Sequence, residues 1–490
     1  MMEQIQGITI LGLGPGSPDQ LTRAAWDWIS QCDEIYLRTS HHPTVAGFPQ
    51  GLKVHSFDHL YEAGESFEGV YEQIIQAVLA LGSRPQGVTY AVPGHPYVAE
   101  TTSPEIVRRA RAQGLPVRVI EAVSFLEPTF TALQLDPYPH LVLVDALELT
   151  NRHTPTFPPE SAALVAQIYS SFVASEVKMT LLAAYPDEHP VRLVHGAGTP
   201  EEMVENLALY EIDRSPHLGL LSSLYIAPMA AGTSFEAFQE VVARLRAPDG
   251  CPWDREQTHL SLRKYLLEEA YEAIEALDNE DMDSLCEELG DLLLQVVLHA
   301  QIAAEEGDFN MTHILKGIHD KLIRRHPHVF SNWEVDGVGK VLQNWEKLKA
   351  AEREAKGGEK VKGLLDGVPL ALPALSQAQE IQTRAARLGF DWPQIDGVID
   401  KIAEELAELK AAGTDEERMA EAGDLIFAVV NVVRWYKVDA ESALRGTSLR
   451  FRRRFGYIEQ AARAQGREVA ALSFEEMDAL WNEAKKQTLN

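Results

Sequence analysis

Cysteine is scarce and poorly placed for pairing. The chain has 3 in 490 residues, Cys32, Cys251 and Cys286, an odd number at wide separations. That suits neither a disulfide framework nor a closely spaced metal-ligand set, so a reducing cytoplasm is the expected location. Long apolar runs are missing too. Nothing approaches the roughly 18 apolar residues that read as a membrane-spanning helix, and Met1-Met2-Glu3-Gln4 lacks the basic-then-apolar opening of a signal peptide. Positive charge is in deficit: 44 Lys and Arg stand against 73 Asp and Glu, a formal net charge of −29. So acidic a chain repels nucleic acid and anionic lipid, and neither is an expected partner. A nucleotide is not excluded, because divalent cations can bridge carboxylates to phosphates.

What is present changes character near residue 230. Before it, apolar runs such as Ile8 to Leu13, Gly87 to Val92, Pro116 to Ile120 and His140 to Val144 read as strands. They alternate with helical patterns at Leu21 to Cys32 and Ser103 to Gln113, which predicts an α/β layer fold. Beyond it the strand signals stop, and amphipathic stretches follow at about 259–279, 281–306, 311–325, 338–356, 371–388, 395–412, 415–436 and 440–464. Their period predicts an all-helical half. Gly357-Gly358 and the segment Gly363 to Pro369 break it into two parts, and Gly232-Thr233-Ser234 is a candidate hinge ahead of it. The expected domains are therefore 1–228, 229–360 and 361–490.

The two helical parts repeat one pattern. Glu268-Glu269-x-x-Glu272 precedes Glu288-x-x-Asp291; Glu404-Glu405-x-x-Glu408 precedes Glu421-x-x-Asp424. The gaps from Glu272 to Glu288 and from Glu408 to Glu421 are 16 and 13 residues. Carboxylates three apart share a helix face, so two packed helices would gather four of them. Such charges repel unless a cation joins them, and Mg²⁺ favours hard oxygen ligands with room left for water and phosphate. A solvated acidic face is the ordinary alternative. Against it stand the recurrence, the apolar surroundings (Leu289, Leu292 to Leu294, Val296 to Leu298; Leu425 to Phe427, Val429, Val430) and a mid-helix glycine in each pattern, Gly290 and Gly423. Glycine is unfavourable there, which close helix approach or ligand clearance would explain.

Cys251-Pro252-Trp253-Asp254-Arg255-Glu256-Gln257-Thr258-His259 through Glu272, then Glu287 to Leu293, resembles the MazG family of nucleoside triphosphate pyrophosphohydrolases. Arg325-His326-Pro327-His328-Val329-Phe330, Gln343 to Lys349, Leu388 to Trp392 and Arg450 to Phe455 extend the likeness over roughly residues 230–490. The resemblance implies an all-α fold, a homodimer, Mg²⁺ dependence and cleavage between the α and β phosphates. By position, the metal ligands would be Glu269, Glu272, Glu288 and Asp291, then Glu405, Glu408, Glu421 and Asp424, with Glu269, Glu272, Glu405 and Glu408 catalytic. Glu268 and Glu404 would orient ligands or water. Triphosphate charge requires cations: Lys321, Arg324 and Arg325 are candidates in the first repeat, Arg384, Arg387, Arg450, Arg453 and Arg454 in the second. Trp253 and Trp392 are candidates to stack on a base or to pack within the protein. The family's second repeat usually has lysine at Arg384 and Arg450 and asparagine at Ser448.

In the N-terminal part, Gly12-Leu13-Gly14-Pro15-Gly16 follows a strand and precedes a helix, and Gly94-His95-Pro96 follows a later strand. With Leu21-Thr22, these resemble the tetrapyrrole methylase family over roughly residues 5–225. That implies an S-adenosylmethionine site to which Gly12, Gly14, Gly16 and Gly94 would contribute. The chain has His95 where that family commonly has aspartate, and Glu121-Ala122-Val123-Ser124-Phe125 where it commonly has Pro-Gly-x-Ser-Ser. His41, His42, His59 and His95 form no convincing metal set. The leading expectation is hydrolysis of a nucleoside triphosphate to monophosphate and diphosphate, clearing unwanted nucleotides. The alternatives are an S-adenosylmethionine-dependent methyltransferase with a regulatory or dimerising helical half, and a non-catalytic nucleotide sensor.

Overall fold

A computed structural model of the chain describes residues 7–63, 66–331 and 363–487, with single residues between 333 and 348. The chain forms two compact units, Met1–Glu256 and Gln257–Asn490. The boundary lies after the composition change near residue 230, because helices over Phe235–Arg246 and Pro252–Glu256 belong with the first unit.

The first unit holds two five-stranded sheets. Strands β1 (Ile8–Gly12), β2 (Glu34–Leu37), β3 (Lys53–Ser56), β4 (Val88–Val92) and β5 (Val117–Ile120) form a parallel sheet in the order β3-β2-β4-β1-β5. Every residue of β1 is buried, as expected of a strand covered on both faces. Ile8 and Ile10 join Ile74, Val78 and Ile106 on one side, and Leu11 joins Ala25, Ile29 and Leu37 on the other. This alternation is the two-residue period of a strand. Strands β6 (Val142–Asp145), β7 (Ala163–Ala166), β8 (Pro190–His195), β9 (Met203–Ala208) and β10 (Ser222–Ile226) form the second sheet, ordered β6-β7-β10-β8-β9. Only its β6–β7 pairing is parallel. Strands β2, β3 and β7 to β10 were not legible as strands; their short runs carry charged or small residues.

Gly232-Thr233-Ser234 is anchored. The amides of Gly232 and Thr233 donate to Glu160 Oε1, the latter at 2.7 Å. The Ser234 hydroxyl caps the helix over Phe235–Arg246, accepting from the Ala237 amide at 3.1 Å.

The second unit is helical among its described residues. We label its helices α1 (His259–Asp278), α2 (Met282–Glu306), α3 (Met311–Arg325), α4 (Ala374–Arg387), α5 (Ile395–Ala411), α6 (Asp415–Trp435), α7 (Ala440–Ala464) and α8 (Phe474–Gln487). The helix expected over 338–356 falls largely, and Gly357-Gly358 wholly, outside the described residues; so do Gln343, Glu346, Lys347 and Lys349. Helices α1 and α2 pack together in the first repeat, as do α5 and α6 in the second. Side-chain caps fix their ends. Asp281 accepts from the Ser284 amide at 3.1 Å to start α2. Thr414 and Glu417 cap each other's amides at 3.1 Å to start α6, the reciprocal box that satisfies orphan donors. These caps set where the tight turns fall, and so which residues of each helix pair face one another.

Candidate metal and nucleotide site

Glu269 and Glu272 lie one turn apart on α1, and Glu288 lies on the facing helix α2. One carboxylate oxygen from each falls within 4.8 Å of the others. Glu405 and Glu408 on α5 and Glu421 on α6 repeat the grouping within the same limit. Asp291 and Asp424 stand one turn beyond Glu288 and Glu421. They fall outside the tight triads, yet are near enough for their charge to raise the proton affinity of Glu269 and Glu288, and of Glu421.

Electrostatics mark both groups as strained without a cation. The Glu269 carboxyl is pushed above the usual carboxylate range by burial, then by the charges of Asp291 and Glu272. Glu288 is raised by partial desolvation and by Glu272 and Asp291; Glu421 by desolvation, then Glu408, Glu405 and Asp424. Like charges disfavour one another's ionised form. Folding therefore brings these groups together at a cost that a hard divalent cation would reverse. Three converging carboxylate oxygens, with Glu272 and Glu408 exposed, suit Mg²⁺, which keeps several positions for water and phosphate.

The repeats differ at one position that sequence reasoning missed. Lys401, one turn before Glu405, places its ammonium 2.7 Å from Glu405 and 2.9 Å from Glu404. These carboxylates hold the ammonium well above the ordinary lysine range, Glu404 contributing most. The same register in the first repeat holds Tyr265. A lysine four residues before a glutamate was the available signal. Glu268 and Glu404 are both exposed, and Glu404 is engaged by Lys401.

Gly290 and Gly423 resolve one alternative. A Cβ at either position would meet no heavy atom of the described residues within 4 Å, so close helix approach among those residues is not their reason.

The cationic candidates separate by environment. Arg384 is tied up: it donates to Glu380 at 2.7 Å and to the carbonyls of Leu364 and Gly367 at 3.2 and 3.0 Å. It fastens the segment entering the second repeat. Arg450, Arg453 and Arg454 have no carboxylate partner among the described residues. Arg450 donates to Thr447 at 2.8 Å and Arg453 to Asn279 at 2.6 Å, and Arg454 lies over the Trp481 ring at 5.5 Å. Lys321 and Arg325 are half-buried on α3 and Arg387 is exposed at the end of α4. Trp392 packs over the first turn of α5, where a Cβ on Gly397 would lie 2.7 Å from its ring. One face of Trp392 is thus used in packing, as is Asp391 beside it, which accepts from Arg434 at 2.7 Å.

In the first unit, the glycines serve mainly to let backbones meet. A Cβ on Gly12 would lie 2.5 Å from the Gly94 carbonyl and 2.6 Å from the Ala122 methyl, and one on Gly16 would lie 2.8 Å from Thr199. Gly14 adopts φ +73°, and its amide and carbonyl pair with Gly94 at 3.3 and 2.9 Å. Of the four candidate glycines, Gly94 alone has no neighbour within 4 Å of a Cβ position. Ala122 occupies space beside Gly12, and His95 is turned back to accept from the Tyr97 amide at 3.1 Å. Close approach of the protein's own atoms thus accounts for Gly12, Gly14 and Gly16, and of the four Gly94 is the one that leaves room for a ligand.

Comparison with known proteins agrees with this architecture. The profile of the MazG nucleotide pyrophosphohydrolase domain matches residues 257–330, and that of the tetrapyrrole (corrin/porphyrin) methylases matches residues 7–213. The chain is 43% identical to the uncharacterized protein YabN of Bacillus subtilis, over 98% of each. It is 45% identical to the nucleoside triphosphate pyrophosphohydrolase/pyrophosphatase MazG of Thermotoga maritima, over 52% of this chain and 97% of that one. It is 43% identical to a nucleoside triphosphate pyrophosphohydrolase of Escherichia coli K12, over 51% of this chain and 96% of that one. The chain belongs to the MazG nucleotide pyrophosphohydrolase family, with a tetrapyrrole methylase-like α/β domain preceding its helical half.

Proposed function

We propose that the helical half hydrolyses nucleoside triphosphates to nucleoside monophosphate and diphosphate, with Mg²⁺ held by the carboxylate clusters, and so removes unwanted nucleotides from the pool. The observation that carries this reading is the convergence, twice, of three glutamates from two packed helices. Mg²⁺ bound there would polarise a phosphoryl oxygen and make a bound water more acidic. Glu269, Glu272 and Glu288, with Asp291 behind them, would hold the cation in the first repeat; Glu405, Glu408, Glu421 and Asp424 would do so in the second. With a cation in the cluster, Lys401 would be free of Glu405 and would serve as a counter-charge for phosphate. The arginines of α7 offset the triphosphate charge that carboxylates alone would repel.

We also infer a homodimer through α2 and α6. At about 100° per residue, Leu289, Leu293 and Val296 form one stripe on α2, well round the helix from Glu288 and Asp291. Ile426 and Val429 take the matching positions on α6. All five are exposed in the single chain, and Gly290 and Gly423 border the same stripes with open space above them. A second copy would cover an apolar stripe of this kind.

The test is a panel of nucleoside triphosphates with Mg²⁺, resolving nucleoside monophosphate plus diphosphate from nucleoside diphosphate plus phosphate. Wild type should give only the first pair, and Glu272→Gln and Glu408→Gln should each abolish turnover in one repeat. Absence of turnover across the panel, with nucleotide bound, would favour a sensor instead.

A further inference from the structure

Helix α7 concentrates positive charge in a chain of net charge −29. Arg450, Arg453 and Arg454 lie within about one turn of one another. None is neutralised by a carboxylate among the described residues, and the Arg454 Nε is buried without a hydrogen-bond partner. Arg450 and Arg453 are exposed, and the half-buried Arg454 lies over the Trp481 ring, so the patch is placed by contacts other than ion pairs.

Part of the support comes from the other repeat. Asn279 caps the C-terminus of α1 and, with Glu280 and Asp281, forms the turn into α2. It therefore sits between the two helices that carry the first carboxylate cluster. Its side-chain oxygen accepts from Arg453 at 2.6 Å. The preceding residue, Asp278, accepts from Arg445 Nε at 2.6 Å. These adjacent contacts span two turns of α7 and fix it along and around its axis. They differ in kind. Asp278 pairs with Arg445 and cancels its charge. Asn279 is neutral, so it orients Arg453 while leaving its full charge and its remaining donors available.

We propose that Asn279 is a positioning residue for polyphosphate recognition: from the first repeat, it holds Arg453 of the second repeat ready for a triphosphate. The Asp278–Arg445 pair keeps the two repeats in register. The inference rests on the hydrolase reading above and adds a dependence that neither repeat shows alone. A carboxylate at position 279 would make the same contact and better satisfy Arg453 within the protein, but would cancel the charge that phosphate needs.

The distinguishing variants are Asn279→Asp, which keeps the contact and removes the net charge, and Asn279→Ala, which removes the contact and keeps the charge. Full-length protein is assayed for KM and kcat with Mg²⁺-nucleoside triphosphate, for calorimetric binding of inorganic tripolyphosphate, and for melting temperature. Asn279→Asp should raise KM and the tripolyphosphate Kd about tenfold, the scale of one hydrogen bond to a charged group. Its kcat should stay within about twofold and its melting temperature should not fall. Asn279→Ala should raise both constants less. A purely structural role predicts the reverse for Asn279→Asp, which adds an ion pair: wild-type KM and Kd. That result would overturn the proposal, as would parallel loss of kcat and melting temperature at constant KM. If wild type turns over no triphosphate, the hydrolase reading fails, and tripolyphosphate binding by the two variants still decides this inference.

Discussion

Gly290→Ala asks whether an expensive residue is there for something outside the single chain. Gly290 lies inside α2, in ordinary helical backbone, and its missing Cβ would face open space. Alanine exceeds glycine in a helix interior by about 1 kcal/mol, partly because glycine gives the unfolded chain more freedom to lose. With no internal clash to offset that gain, Gly290→Ala should stabilise an isolated chain by close to the full amount. For a cooperative unit of roughly 150–250 residues this corresponds to a rise of about 2–4 °C in melting temperature. The inferred dimer changes the expectation at high protein concentration, where a partner helix approaches the stripe of Leu289, Leu293 and Val296. There the added methyl group should weaken association. Calorimetric melts over a hundredfold dilution series, paired with sedimentation, would follow both effects. Expected are a higher melting temperature at the dilute end and a weaker dimer at the concentrated end. A lower melting temperature at every concentration would show that position 290 is packed within the chain and would refute the reasoning. Gly423→Ala should behave in the same way in the second repeat.

Two further outcomes follow from local chemistry. His299 lies 2.7 Å, Nδ1 to Nδ1, from His259, with the rings stacked and Glu306 3.8 Å from the far nitrogen of His259; burial, then His259, lowers its proton affinity below the ordinary 6.5. The unfolded chain therefore binds the extra proton first, and stability is lost as pH falls below about 6.5; His299→Gln should flatten this slope in melts between pH 7.5 and 5. Arg384→Ala should cost about 2 kcal/mol through loss of hydrogen bonds made by a charged group, while KM in the residual folded enzyme stays near wild type; a raised KM at full stability would return Arg384 to the nucleotide site.

The helical half was legible because its period and its charges act locally. Each carboxylate pattern is a pair of local spacings on two successive helices, and the ends of α2, α3, α5, α6 and α7 fall within a residue or two of where the apolar period puts them. The partnership of Asn279 with Arg453 was not legible, since it joins residues far apart in sequence through the packing of one repeat on another. Lys401 was not singled out because a lysine one turn from glutamates is ordinary on an exposed helix, although its i,i+4 spacing to Glu405 carried the signal. In the first unit, Gly12 and Gly16 read as a ligand loop because glycine permits close approach, and sequence cannot say whether a ligand or the protein's own backbone does the approaching. Strands β2 and β3 are short, and charged or polar residues break their apolar patterns, so their burial is set by the sheet they join.

The most direct measurement of the central claim is calorimetric titration of Mg²⁺ into the metal-free chain, alone and with a non-hydrolysable nucleoside triphosphate. Two binding events per chain are predicted, one removed by Glu272→Gln and the other by Glu408→Gln, each tightened by the nucleotide. Saturable binding that survives both substitutions, or no saturable binding with nucleotide present, would contradict the assignment of these carboxylates to a shared cation.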